Sequence, residues 1–176
     1  VPIVTASDEN YAPYLNVMMT TVLENCHSER SVHFYVIDDG LSLSSKKALQ
    51  ETVSSNSQNA TVEFLTADKE VYQNFLVSDH ITTTAYLRIS LPSLLQKYSY
   101  KKVLYLDADT LVLDYIVQLY DTPLVNQTIG AVIDPGQAYA LKRLGIHSSD
   151  YYFNSGVMII DIDRWNEKAI TQKTIQ

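Results

Sequence analysis

Four consecutive apolar residues, Val103-Leu104-Tyr105-Leu106, run straight into Asp107-Ala108-Asp109, and that run limits the fold more than any other segment. A strand that is apolar at every position must be covered on both faces, which is the state of a strand inside a parallel sheet. Ligands of such sheets gather beyond the carboxyl ends of the strands, where Asp107 and Asp109 fall. Two carboxylates about 4 Å apart repel by roughly 4 kcal/mol at an effective dielectric near 20, so both stay ionised only with a positive group between them. A hard divalent cation that also bridges to phosphate oxygens meets that need. A strand end followed by a turn, with both carboxylates simply solvated, is the alternative reading.

The remaining segments alternate strand-like and helix-like patterns without repeats or low-complexity tracts, which predicts an α/β domain over residues 1–176. Strands are expected at Pro2 to Ala6, Val32 to Ile37, Thr61 to Thr66, Ile129 to Ile133 and Tyr152 to Ile162. From Pro13 to Asn25 the apolar set Leu15, Met18, Met19, Val22 and Leu23 follows helical spacing. Further helices are expected at Ser44 to Ser54, Lys69 to Phe75, Thr84 to Tyr98 and Gln137 to Leu144, with Pro92 predicting a kink or break. Asp38-Asp39-Gly40 reads as a turn, and Asp163 reads as the cap of a final helix.

A 46% hydrophobic chain of this length can bury a workable core. Its formal charge of -7 and 13 scattered basic residues argue against a nucleic-acid surface and against an extended basic membrane face. Cys26 stands alone and forms no internal disulfide. The glycosylation patterns at Asn59 and Asn126 are short enough to arise by chance. No run is long and apolar enough to span a bilayer, and no signal peptide opens the chain, although its start at Val1 allows for a removed upstream segment.

The turn after the first strand lacks Gly-x-Gly-x-x-Gly, and no Walker-type Gly-Lys-Ser/Thr occurs. Ser7, Asp8 and Asn10 can read a base or ribose through their side chains, with Tyr11 as a stacking face. The plainer reading is a helix N-cap at Asp8 or Asn10.

Val4-Thr5-Ala6-Ser7-Asp8-Glu9-Asn10-Tyr11, His80-Ile81 followed by Tyr86-Leu87-Arg88, Leu106-Asp107-Ala108-Asp109, Asp134, and Tyr152-Phe153-Asn154-Ser155-Gly156-Val157 follow one another in the order and spacing of glycosyltransferase family 8. In these blocks the chain resembles retaining sugar-nucleotide transferases such as lipooligosaccharide galactosyltransferases and glycogenin. The resemblance implies a GT-A fold, a Rossmann-like nucleotide-binding domain with a mostly parallel central sheet flanked by helices. It implies that Ala6, Ser7, Asp8, Asn10 and Tyr11 hold the uridine. Asp107 and Asp109, with Ala108 between them, would bind Mn2+, or Mg2+ in its place, together with the donor diphosphate. Arg88 would lie near the donor sugar and diphosphate, where a guanidinium suits paired oxygen contacts. Asn154 and Ser155 would form the sugar-binding loop, Gly156 would allow close backbone approach, Asp134 would lie beside the sugar, and His80 would stand on the acceptor side. The donor is then UDP-glucose or UDP-galactose, and the acceptor a glycan, glycoprotein or glycolipid. The expected setting is the bacterial cytoplasm, with any membrane contact peripheral. Retention is open to double displacement or front-face attack.

The chain departs from the family in having no His-x-x-Gly-x-x-Lys-Pro-Trp segment, which carries a third metal ligand and a diphosphate-binding Lys: Trp165 lies in Asp163-Arg164-Trp165-Asn166 and no His follows His147. That departure suggests a catalytic domain lacking its C-terminal portion and turning over poorly. Two rivals remain: a haloacid-dehalogenase-like Mg2+-dependent phosphatase, against which Leu111 and the three preceding strands speak, and a non-catalytic UDP-sugar-binding module. Asp161 and Asp163 form a second Asp-x-Asp, read as a strand-to-helix junction.

Overall fold

The computed structural model describes residues 1–27, 29–68, 70–72, 75, 83–134, 141–142, 144–145 and 152–175. Its strands are β1 (Pro2–Ser7), β2 (Val32–Asp38), β3 (Ala60–Leu65), β4 (Lys102–Leu106), β5 (Ile129–Ile133) and β6 (Phe153–Asp161). They form one six-stranded sheet in the order β3-β2-β1-β4-β6-β5. Strands β1 to β4 pair in parallel, and β6 runs antiparallel to both β4 and β5. A mostly parallel sheet flanked by helices is therefore what the apolar run of β4 requires.

Period-two alternation sorts the strand side chains into two cores. Ile3, Phe34, Val36, Leu104 and Leu106 pack on one face against Leu15, Met18, Met19 and Val22 of helix α1 (Ala12–Glu24) and Leu49 and Val53 of α2 (Leu43–Asn56). Val4, Ala6, Tyr35, Ile37, Val103 and Tyr105 face the other core, with Leu87, Leu91, Leu95 and Trp165. Each fully buried Leu, Ile, Met or Val contributes about 1.5–3 kcal/mol, so both faces of β4 are anchored. A slip of β4 by one residue would exchange Tyr105 with Leu106 and turn Asp107 to the opposite face.

The stretch expected as one helix from Thr84 to Tyr98 is broken, as Pro92 predicts. It divides into α3 (Thr83–Leu87), a 3-10 turn (Arg88–Ser90), α4 (Leu91–Leu94) and a second 3-10 turn (Gln96–Tyr98). Pro92 sits in the first turn of α4, where its missing N–H breaks no helical bond. Leu87 and Leu91, both 0% exposed, fix these pieces onto the sheet and thereby set the position of Arg88.

One helical reading changes, and one helix is added. The segment read as a helix from Lys69 to Phe75 is a 3-10 turn at Glu70–Tyr72 within the described residues. The helix expected at Gln137 to Leu144 lies mostly outside them. A short helix that the sequence pattern did not reveal, α5 (Ile116–Asp121), buries Ile116 and Val117. The final helices are α6 (Ile162–Glu167) and α7 (Ile170–Ile175).

The cap of α6 is Asp161 rather than Asp163. Asp161 is extended, with φ -84° and ψ 109°, and accepts the Arg164 N–H at 2.9 Å. Strand β6 passes directly into the helix, so its last residue takes the capping position and Asp163 falls within the first turn.

Candidate functional site

Strand β4 delivers Asp107 to the carboxyl edge of the sheet, and three neighbours hold it there. The Asp107 N–H donates to the Gly156 carbonyl at 2.7 Å, extending the β4–β6 ladder by one bond. The Tyr105 hydroxyl donates to Asp107 Oδ1 at 2.9 Å. Arg88 Nη2 reaches the same oxygen at 3.0 Å, with the guanidinium lying 4.8 Å from the centre of the Tyr105 ring. Arg88 Nη1 donates onward to the Ser155 carbonyl at 2.7 Å and to Ser155 Oγ at 3.1 Å. The Arg88 side chain is only 15% exposed, which strengthens these charge-assisted bonds.

A bulge in β6 makes this meeting possible. Ala131 pairs with Met158, but the next residue, Val132, pairs with Asn154. Ser155, Gly156 and Val157 are therefore extra residues on β6, and the first two are free to turn toward Asp107 and Arg88. Gly156 is required by space: a Cβ there would lie 2.8 Å from Asp107 Oδ2 and 3.1 Å from Asn154 Oδ1. The Gly156 N–H donates to Asn154 Oδ1 at 2.8 Å, which leaves the Asn154 amide hydrogens for another partner.

These groups border a cleft of about 380 Å³ lined by Tyr86, Arg88, Ile89, Asp107, Asp134, Tyr152, Phe153, Asn154, Ser155 and Gly156. Asp134 follows β5, its N–H donating to the Tyr152 carbonyl at 3.0 Å. The structure thus brings Arg88, Asp107, Asp134, Asn154 and Ser155 around one space. Ala108 is buried within the turn closed by the Thr110 N–H on the Asp107 carbonyl, at 3.1 Å, and Asp109 is exposed on that turn. His80 lies outside the described residues.

The uridine-binding residues implied by the resemblance lie at the end of the adjacent strand. Ala6 and Ser7 are buried, with Ser7 Oγ donating to the Asp8 carbonyl at 3.0 Å, so neither side chain is presented to solvent. Asp8 accepts the Tyr11 N–H at 3.0 Å, and the N-cap of α1 is Tyr11, without a side-chain cap bond, rather than Asp8 or Asn10 as in the plainer reading of this turn. Asn10 is exposed, and Tyr11 is 43% exposed and packs obliquely on Tyr14.

Sequence reasoning missed two supporting residues. Tyr105 was counted among the apolar residues of β4; its spacing of two from Asp107 is the signal that places both on one face. Glu9 accepts the Ser42 N–H at 2.7 Å, and Ser42 Oγ and Ser45 Oγ each at 2.9 Å, which clamps the loop after β1 to the start of α2. These bonds, chiefly that of the Ser42 N–H, hold the Glu9 carboxyl below its ordinary pKa. No local pattern reveals a bond between loop and helix so far apart in the chain. The Thr84 hydroxyl also donates to Asp39, whose N–H donates to the Ser7 carbonyl, tying α3 to the ends of β1 and β2.

The donor chemistry suits a hard cation. The Tyr105 hydrogen bond and the Arg88 ion pair both fall on Asp107 Oδ1, while Oδ2 borders Gly156. Asp109, two residues on, is exposed, and its carboxylate would be available as a second oxygen ligand. Among the described residues no group of three His, Cys, Asp or Glu converges, so further ligands would come from a bound phosphate, water or other residues.

This architecture is the GT-A glycosyltransferase fold. The galactosyltransferase LgtC, solved with donor and acceptor sugar analogs, superposes with a TM-score of 0.83 at 32% identity over 95% of this chain and 60% of its own. The family model for glycosyl transferase family 8 matches residues 2–176, and the chain belongs to that family. It is 42% identical to General stress protein A of Bacillus subtilis, over 98% of this chain and 60% of the relative. It is 29% identical to lipopolysaccharide 1,2-glucosyltransferase of Escherichia coli, over 96% of this chain and 49% of that protein. The chain spans between half and three fifths of the length of these relatives.

Proposed function

We propose that the carboxyl edge of the sheet binds a UDP-hexose, UDP-glucose or UDP-galactose, with Mn2+ or Mg2+ held by Asp107 and Asp109. The protein would transfer the hexose, with retention, to a glycan, glycoprotein or glycolipid acceptor. The observation that carries this reading is the cluster in which the Tyr105 hydroxyl and the Arg88 guanidinium both meet the Asp107 carboxylate, while the Gly156 carbonyl accepts the Asp107 N–H and Ser155 holds Arg88.

Electrostatics support the cation. Asp107 and Asp134 line the cleft with Arg88, and Asp109 lies two residues on, in a chain of formal charge -7. A diphosphate approaching that edge meets net negative charge, and a divalent ion reverses the local sign. When bound, the cation supplies counter-charge to the departing diphosphate, where negative charge builds in the transition state. The chain's own groups orient the donor. Asn154 presents its amide hydrogens to the sugar hydroxyls, Asp134 accepts from them, and Arg88 keeps the β6 bulge closed against β4. Asp8, Asn10 and Tyr11 hold the uridine, with Ala6 and Ser7 contributing backbone. His80 is assigned to the acceptor side by resemblance alone.

Membership of the family removes the phosphatase alternative. Bacterial relatives support a bacterial cytoplasmic setting, where sugar nucleotides are made. Among the described residues no helix is long and apolar enough to cross a membrane.

The test is release of UDP from UDP-glucose and UDP-galactose, with and without Mn2+, for wild type and Asp107→Asn. Cation-dependent release that the substitution abolishes is expected. Tight binding of UDP-sugar without any release, in the presence of varied acceptors, would instead identify a binding module.

A further inference from the structure

A carboxylate that ligates a cation must be held in one orientation, and β4 carries the group that holds it. Tyr105 is 1% exposed, yet its hydroxyl points along the strand to Asp107 Oδ1, 2.9 Å away. Residues two apart on a strand share a face, so the ring and the carboxylate stand side by side. Arg88 covers the ring, with Cζ 4.8 Å from its centre, and places Nη2 3.0 Å from the same oxygen. The hydroxyl and the guanidinium thus converge on Oδ1, whereas Oδ2 takes neither of them and borders Gly156, where a Cβ would come within 2.8 Å.

We infer that Tyr105 is a positioning residue: with Arg88 it occupies Oδ1 of Asp107 and so leaves Oδ2 as the oxygen that ligates the cation. This inference rests on the cation site proposed at Asp107 and Asp109. A group that orients a metal-binding carboxylate in this way fixes both its rotation and its charge distribution, and its loss lowers metal affinity by roughly 10- to 100-fold.

The test is a titration with Mn2+ in the presence of UDP, followed by the electron paramagnetic resonance signal of the free ion, on wild type, Tyr105→Phe and Tyr35→Phe. Tyr105→Phe keeps the ring, its packing and the Arg88 contact while deleting one donor. Tyr35→Phe is the matched control, removing from the same core a hydroxyl that lies 2.9 Å from that of Tyr100. The expected result is a Mn2+ affinity roughly tenfold weaker in Tyr105→Phe and unchanged in Tyr35→Phe, with similar melting temperatures. Equal affinity of Tyr105→Phe and wild type would overturn the positioning role while leaving the cation site standing. Equal weakening in both Phe variants would also overturn it, as a general loosening of the core. A wild type that takes up no Mn2+ would overturn the cation site and the inference together.

Discussion

Asp107-Ala108-Asp109 and Asp161-Ile162-Asp163 are the same pattern at opposite edges of one sheet, and their hydrogen bonds separate them. Lys102 pairs with Asp161 at the amino end of β4, while Asp107 leaves its carboxyl end. Asp161 is committed to the Arg164 N–H and to Arg164 Nε at 3.3 Å. Asp161→Ala is expected to lower stability by about 1 kcal/mol, read as a fall of roughly 2–4 °C in melting temperature, and to leave Mn2+ binding unchanged. Asp109→Ala should do the reverse, because its carboxylate is exposed on a turn. Gly156→Ala drives a methyl against Asp107 Oδ2 and Asn154 Oδ1. It should reduce Mn2+ affinity more than tenfold and destabilise by about 1–3 kcal/mol, measured by titration and by denaturant unfolding.

Among the elements, the loop after β1 owes its position to Glu9, which sits at the positive end of the α2 dipole among Ser42 and Ser45. Its folded pKa lies below the ordinary 4.5, chiefly through the Ser42 N–H. The stabilisation is therefore fully present above the unfolded value and is lost as the pH falls through the depressed folded value. Melting temperatures of wild type and Glu9→Gln should differ at pH 7 and converge in acid; a constant gap would contradict this role. The strands were legible because alternation and apolar runs are local properties: β4 and β5 differ from expectation by at most one residue. The break at Pro92 was legible for the same reason. The β6 bulge, the Tyr105 bond and the Glu9 clamp were not, because each depends on which segments the fold brings together. Helix α5 is six residues long, too short to establish a helical period. The cap of α6 was misplaced because capping depends on where β6 ends.

For the whole molecule, two buried faces fix a sheet whose carboxyl edge gathers the ends of β1 and β4 and the bulge of β6. Arg88, Asp107, Asp134, Asn154 and Ser155, singled out by resemblance, share one cleft, while Ala108 and Asp109 are not among its lining residues and those after β1 lie on the neighbouring strand end. The net charge of -7 makes the account strict, since a diphosphate has little reason to settle on such an edge unaided. Calorimetric titration with UDP, with and without Mn2+, on wild type and Asp109→Ala tests this most directly. UDP binding that requires Mn2+ and disappears in Asp109→Ala is the predicted result. Equal UDP binding with and without Mn2+, or binding undiminished in Asp109→Ala, would contradict the assignment of Asp107 and Asp109 as the cation site.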